Sequence, residues 1–287
     1  MFSVNMVPAL MDLTTDQNRN HAYALASMLR GLGTFVGTIS GGLLPGLSAY
    51  LLSQPLDMPG PYRLSLWIGT GLGLVALVPL FRLSSVKRMT FVGYEQGEGP
   101  FPTLPLVLVI AHVYFSHGAW ATCQAFCNAY LDTALHLSVA SIGLITGLGQ
   151  FVAILAPLFT PNLAVRRSNG WILMVTTLGI GLSLLPLALL PHWVAAGLGN
   201  LGVMALAAIW LPAFQAYQME WVSNRWRSLA YGIVSMAMGF TFASVSLAGG
   251  YITAEWGYSS LFLLGAGMCL VGTTLMWGIL TARDGRP

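Results

Sequence analysis

A long-range echo constrains this chain most. The stretch Arg19–Met28 returns 208 positions later as Arg227–Met236, with Arg19, Ala22, Tyr23, Ser27 and Met28 matching Arg227, Ala230, Tyr231, Ser235 and Met236. At the same offset Gly31 matches Gly239, and Gly41-Gly42 matches Gly249-Gly250. The next segment repeats at an offset of 196: Tyr62, Gly69, Gly71, Leu74 and Val75 match Tyr258, Gly265, Gly267, Leu270 and Val271. A repeat this long in a hydrophobic chain predicts two similar helical sets. The segments before Arg227 have no counterpart before Arg19, so the earlier set is expected to be cut short.

Composition names the solvent. Hydrophobic residues make up 56% of the 287 positions and charged residues 7%, with a mean hydropathy of +0.73. A soluble domain carries about a quarter charged residues, so this chain reads as a membrane protein. A net charge of +3 with no basic cluster beyond two adjacent residues excludes nucleic acid as a partner. Cys123, Cys127 and Cys269 all fall within apolar segments and form no disulfide framework. Cys123 and Cys127 stand one helical turn apart, and a metal site would need further ligands near them. No cleavable signal is evident at the start of the chain, and no cofactor is expected.

A membrane span needs about 20 apolar residues. Eight full segments qualify, at 22–52, 62–83, 104–133, 138–160, 170–190, 193–217, 228–252 and 258–281, and residues 1–13 read as the end of a ninth. The fold class expected is therefore an all-α polytopic bundle of eight full spans plus a partial one. The organisation expected is a first helical set over 1–83, a polar linker over 84–103 and a six-helix set over 104–287. Placing the loops at 14–21, 84–103, 161–169 and 219–227 with the C-terminus in the cytoplasm puts ten of the twelve cations there, leaving Arg63 outside and Arg30 within a span. Such sidedness follows the positive-inside rule, and the chain is expected in a plasma or inner membrane.

Three local patterns resemble the major facilitator superfamily. Ala24, Gly33, Gly37 and Gly41-Gly42 are similar to the glycine motif in helix 5 of its drug/proton antiporters, with Thr38 where that motif has proline. Pro161–Asn169 resembles the basic loop between helices 8 and 9, with Pro161 and Val165 replacing its usual glycine and aspartate. Pro212, Glu220, Arg225 and Arg227 resemble the junction of helices 10 and 11. The resemblance covers essentially the whole chain. It implies helices 5 to 12 with the end of helix 4, an N-terminal truncation, and inward-facing helices around a central cavity. The paired glycines Gly33, Gly37, Gly41, Gly42, Gly249 and Gly250 are expected to pack one half against the other.

Within span 104–133, Tyr114, His117, Ala121, Gln124, Asn128 and Asp132 share one stripe at 100° per residue. Polar groups facing lipid are costly, so the stripe faces either a cavity or neighbouring helices. Tyr114, His117, Gln124 and Asn128 are candidates to line a cavity, and His112 lies on the opposite side of that helix. Asn200, Gln215 and Gln218 are further candidates from span 193–217. Arg30 serves either snorkelling or a cytoplasmic-side gate, and Arg166 and Arg167 are candidates for the same side. All nine acids lie in loops or near span ends, which leaves His117 and His112 as the groups able to titrate in mid-membrane.

These features favour a secondary transporter moving a small solute, with or without a coupled proton, by rocking of two helical halves. The alternative is a non-transporting remnant or interaction subunit on the same scaffold. An intramembrane enzyme lacks support, because neither Gly-x-Ser-x-Gly nor His-Glu-x-x-His occurs. The oligomeric state is open.

Overall fold

The computed structural model describes residues 2–15, 17–55, 58–78, 101, 103–223 and 225–284. The expected linker at 84–103 lies outside the described residues except for Thr103 and Phe101. Every described element is helical: α1 (Phe2–Leu13), α2 (Arg19–Leu52), α3 (Pro59–Val75), α4 (Thr103–Ala129), α5 (Val139–Leu155), α6 (Thr160–Arg166), α7 (Asn169–Leu189), α8 (Trp193–Trp221) and α9 (Arg227–Asp284). Helices suit lipid because each closes its own backbone hydrogen bonds.

The ends of these helices follow local chemistry. Ser138 and Ser168 cap α5 and α7, each accepting a hydrogen bond from a backbone N–H three residues on, at 3.3 Å. His192 does the same for α8 through Nδ1, at 3.2 Å from the amide of Val194. Pro59 starts α3, where its missing N–H costs nothing. A single wider turn, Tyr130–Ala134, ends α4, and a tight turn, Ala156–Phe159, joins α5 to α6.

Six described helical segments are long and apolar enough to cross a membrane, which corrects the expected count of eight full spans plus a partial one. The physical reasons are specific. α1 has 12 residues and α3 has 17, each short of a full crossing. The two spans read at 228–252 and 258–281 form one helical run of 58 residues, α9. At 1.5 Å per residue α9 would be about 87 Å long, far more than the roughly 30 Å hydrocarbon layer. It is broken at Gly257, whose φ of 76° and ψ of 172° suit glycine alone. The arms before and after Gly257 are therefore distinct helical stretches.

The chain divides into two compact units, residues 1–31 with 99–287, and residues 32–98. The smaller unit holds the later part of α2 and α3, where Ser48 and Ser65 hydroxyls meet at 3.1 Å. In the larger unit, one cluster gathers Cys127, Leu131, Ile145, Ile180, Leu184, Leu187, Val203 and Phe262 from α4, α5, α7, α8 and the second arm of α9. Another gathers Val109, Val113, Leu173, Trp210, Phe214 and Met276. Lipid is as apolar as leucine, so packing quality rather than release from water holds such helices together.

That packing depends on close backbone approach between α7 and α8. A Cβ added at Gly199 would collide with Leu187 and stand 2.6 Å from the Ser183 carbonyl oxygen, and one at Gly202 would collide with Ser183 Oγ. Backbone cannot step aside as a side-chain tip can. Gly199→Ala is expected to lower thermal stability by about 1–3 kcal/mol, the usual cost of overpacking. Gly239 has nothing within 4 Å of its would-be Cβ, so Gly239→Ala is expected to melt at or slightly above the parent temperature. Thermal melting of the two variants in the same detergent checks the contrast.

Candidate functional site

The stripe on α4 splits into two parts. Tyr114 and His117 are half-buried, whereas Gln124, Asn128 and Asp132 are exposed. The His117 ring lies 4.6 Å from Trp120, and Trp120 lies 6.1 Å from Phe242 on the first arm of α9. Tyr114 borders an apolar cleft of about 100 Å³ with Ser244, Val245, Ala248, Gly249, Leu261 and Met268. One part of the stripe thus packs on α9, and the other presents two amides outward. Exposed amides on a lipid-dissolved helix need a polar space or a partner helix.

The α8 candidates are placed differently. Asn200, Gln215 and Gln218 are all buried. Asn200 Oδ1 accepts a weak bond from the Cys123 thiol at 3.5 Å. Asn200 Nδ2, Gln215 Nε2 and both amide atoms of Gln218 have no hydrogen-bond partner among the described residues. Each such group costs roughly 1–3 kcal/mol. Their cost falls if a movement exposes them to water or solute.

What covers this end of α8 is a contact that the sequence did not single out. Val7 and Met11 of α1, Tyr23 of α2, and Ala216 and Met219 of α8 form a buried apolar cluster, with Tyr231 of α9 packed against it. The Tyr23 hydroxyl donates to the Val7 carbonyl oxygen at 3.0 Å. Arg227 Nη1 donates to Asp12 Oδ1 at 3.2 Å, and Arg227 Nε donates to the Val222 carbonyl at 3.1 Å. The Asp12 side chain is 60% exposed, so this ion pair steers register more than it stabilises. Two signals for it were in the sequence: Tyr23 and Tyr231, like Arg19 and Arg227, are repeat-equivalent, and Asp12 ends the first apolar segment.

The remaining candidates are placed as follows. Arg30 is exposed on α2, and Arg166 is exposed in the last turn of α6. Arg167 lies over the Trp171 ring at 5.3 Å. Gly33, Gly37 and Gly41 have no described atom within 4 Å of a would-be Cβ, and neither has Gly250. Gly42 lies on α2. Gly249 is the crowded one, facing Phe126 at 2.5 Å and Leu261 at 3.3 Å within the larger unit. His112, apart from the stripe, holds the Gly272 carbonyl through Nδ1 at 2.9 Å and stacks near Trp210 at 6.2 Å.

A family model described as Major Facilitator Superfamily matches residues 1–197 and 108–287, which together take in the whole chain. The chain belongs to the major facilitator superfamily. No curated protein matches it. Among solved structures it is similar to the human organic anion transporter MFSD10 (TETRAN), with a TM-score of 0.65 and 16% identity. The match covers 94% of this chain and 66% of that one, so the chain spans about two-thirds of that transporter's length. At this identity the likeness speaks for the fold. This superfamily chain is thus an integral, multi-pass membrane protein with a transporter-type helical fold.

Tyr23→Phe removes the hydroxyl that holds α1 while keeping the ring. It is expected to cost about 1 kcal/mol, the net worth of one hydrogen bond. Hydrogen exchange of the amides in Phe2–Leu13 should accelerate in the variant while that of Asn169–Leu189 stays unchanged.

Proposed function

We propose that this chain is a secondary active transporter of a small solute, working by alternating access between two helical halves. The observation that carries the reading is the closed end described above. Residues from the first helical set (Val7, Met11, Asp12, Tyr23) meet residues from the second (Ala216, Met219, Arg227, Tyr231) beside α8. Alternating access needs such a contact, formed when one side is shut and broken when it opens. Gln215 Nε2 and both amide atoms of Gln218, without partners among the described residues, lie on the same stretch of α8, and opening would hydrate them.

The finer expectations belong to this proposal. The helices are arranged as a first set over 1–83, a linker over 84–103 and a second set over 104–287. The cation-rich loops and the C-terminus face the cytoplasm. The exposed amides Gln124 and Asn128, with Tyr114 and His117, form the wall met by solute. Few charges are buried, which favours a neutral or mildly amphipathic solute. Organic anions join the panel because MFSD10 is titled as their transporter. A coupled proton would ride on His117 rather than on an acid.

The test is uptake and efflux of a solute panel by purified protein in proteoliposomes. Transport of no member above empty vesicles would end the transport reading. Asp12→Arg is expected to cut the rate severalfold, and combining it with Arg227→Asp should restore most of it. A double variant as slow as the single one would remove the closing pair from the cycle. His117→Ala is expected to flatten the pH dependence of transport, and an unchanged profile would remove His117 from coupling.

A further inference from the structure

The proposed transport cycle leaves Arg166 unused. Residues Ser141–Arg166 form one apolar run of 26 residues, about 39 Å long at 1.5 Å per residue. The hydrocarbon layer is about 30 Å thick, so the final turns of this run project into the headgroup zone. There Phe159, Asn162, Leu163 and Arg166, spaced as one helical face, line a cleft of about 430 Å³ on its described side. Phe159 is 61% exposed and Val165 is 85% exposed. Arg166 and Asn162 are exposed too, and no carboxylate pairs with Arg166 or Arg167 among the described residues. Arg167, one residue on, is held over Trp171, an aromatic suited to the membrane interface.

We propose that this cleft holds the headgroup of one anionic phospholipid, with its phosphate against Arg166 and the Asn162 amide and an acyl chain along Phe159 and Leu163. Three features select this occupant. Arg166 sits at the end of the run, at headgroup depth, and Phe159 lies about two turns nearer the bilayer centre, with Asn162 and Leu163 side by side between them. Among the described residues no acid neutralises the cation. The loop belongs to the cation-rich side, which faces the leaflet bearing anionic lipid. Binding here would anchor the α6–α7 corner, whatever solute the protein carries.

The experiment uses the full chain in mixed micelles, with phosphatidylglycerol and phosphatidylcholine as probes. Native mass spectrometry counts bound lipid, and thermal melting reads its effect. Phosphatidylglycerol is expected to bind and raise the melting temperature, and phosphatidylcholine is not. Arg166→Gln should weaken phosphatidylglycerol binding about fivefold, the ~1 kcal/mol that one basic residue contributes at an anionic surface. Arg166→Lys should stay within about twofold of the parent, and Arg63→Gln, at the other side, should match it. Equal binding by Arg166→Gln and parent, or equal effects of the two lipids, would overturn the proposal. So would inorganic phosphate or glycerol phosphate reproducing the full melting shift, which would make this a site for a soluble anion. If Arg166→Gln melts below the parent in phosphatidylcholine, the phosphatidylglycerol increment of Asn162→Leu decides by the same criteria.

Discussion

The structure rests on how closely α7 and α8 approach each other at Gly199 and Gly202. In water, a leucine buried between two helices gains from leaving solvent. In lipid that gain is absent, because the alternative neighbour is another hydrocarbon. Dispersion falls off steeply with distance, so contact must be tight to count. Glycine at the crossing lets the backbone of α8 rest against the Ser183 carbonyl, and Leu187 fills the remaining space. Ile180, Leu184 and Leu187 are then fully enclosed with α5 and the second arm of α9 around them. The rest of the larger unit is arranged about that pair.

On this frame sit two kinds of polar group. Ser116, Thr122, Thr176, Ser183 and Thr273 turn their hydroxyls back onto carbonyls three or four residues earlier in the same helix. They are satisfied locally and ask nothing of their neighbours. The long amides cannot fold back in this way. Oδ1 of Asn20 on α2 and Oδ1 of Asn169 on α7 are buried without a partner among the described residues, as are Asn200 Nδ2, Gln215 Nε2 and both amide atoms of Gln218 on α8. The apolar cluster of Val7, Met11, Tyr23, Ala216 and Met219 packs against that same helix.

The sequence made the helical class legible because hydropathy reads solvent directly, and lipid leaves few backbone solutions. Segment ends fell within a few residues of the caps at Ser138, Ser168 and His192, since those caps are local chemistry. The number of separate spans was less legible. Gly257 breaks α9 into two arms with no loop between them, and α3 stops at Val75 where the apolar run continues. Among the site residues, a stripe drawn at 100° per residue grouped Tyr114 with Asn128 on one face of α4. It could not tell that α9 covers one part and leaves the other open, because coverage depends on a partner more than a hundred residues away. The Asp12–Arg227 pair was hidden for the same reason. The repeat held the clue. Tyr23 and Tyr231 are repeat-equivalent, and Tyr231 packs against the cluster that holds Tyr23.

Gly257 carries a mechanical consequence. The arms of α9 join there with no intervening loop, so the connection has no slack to absorb a change in chain length. Adding one residue would turn everything downstream by about 100° around the helix axis. Gly265, Gly272 and Cys269 now face Leu184, Thr177 and Gly181. After such an insertion each would be presented to a different neighbour, and the final arm would have to find a new register along its whole length.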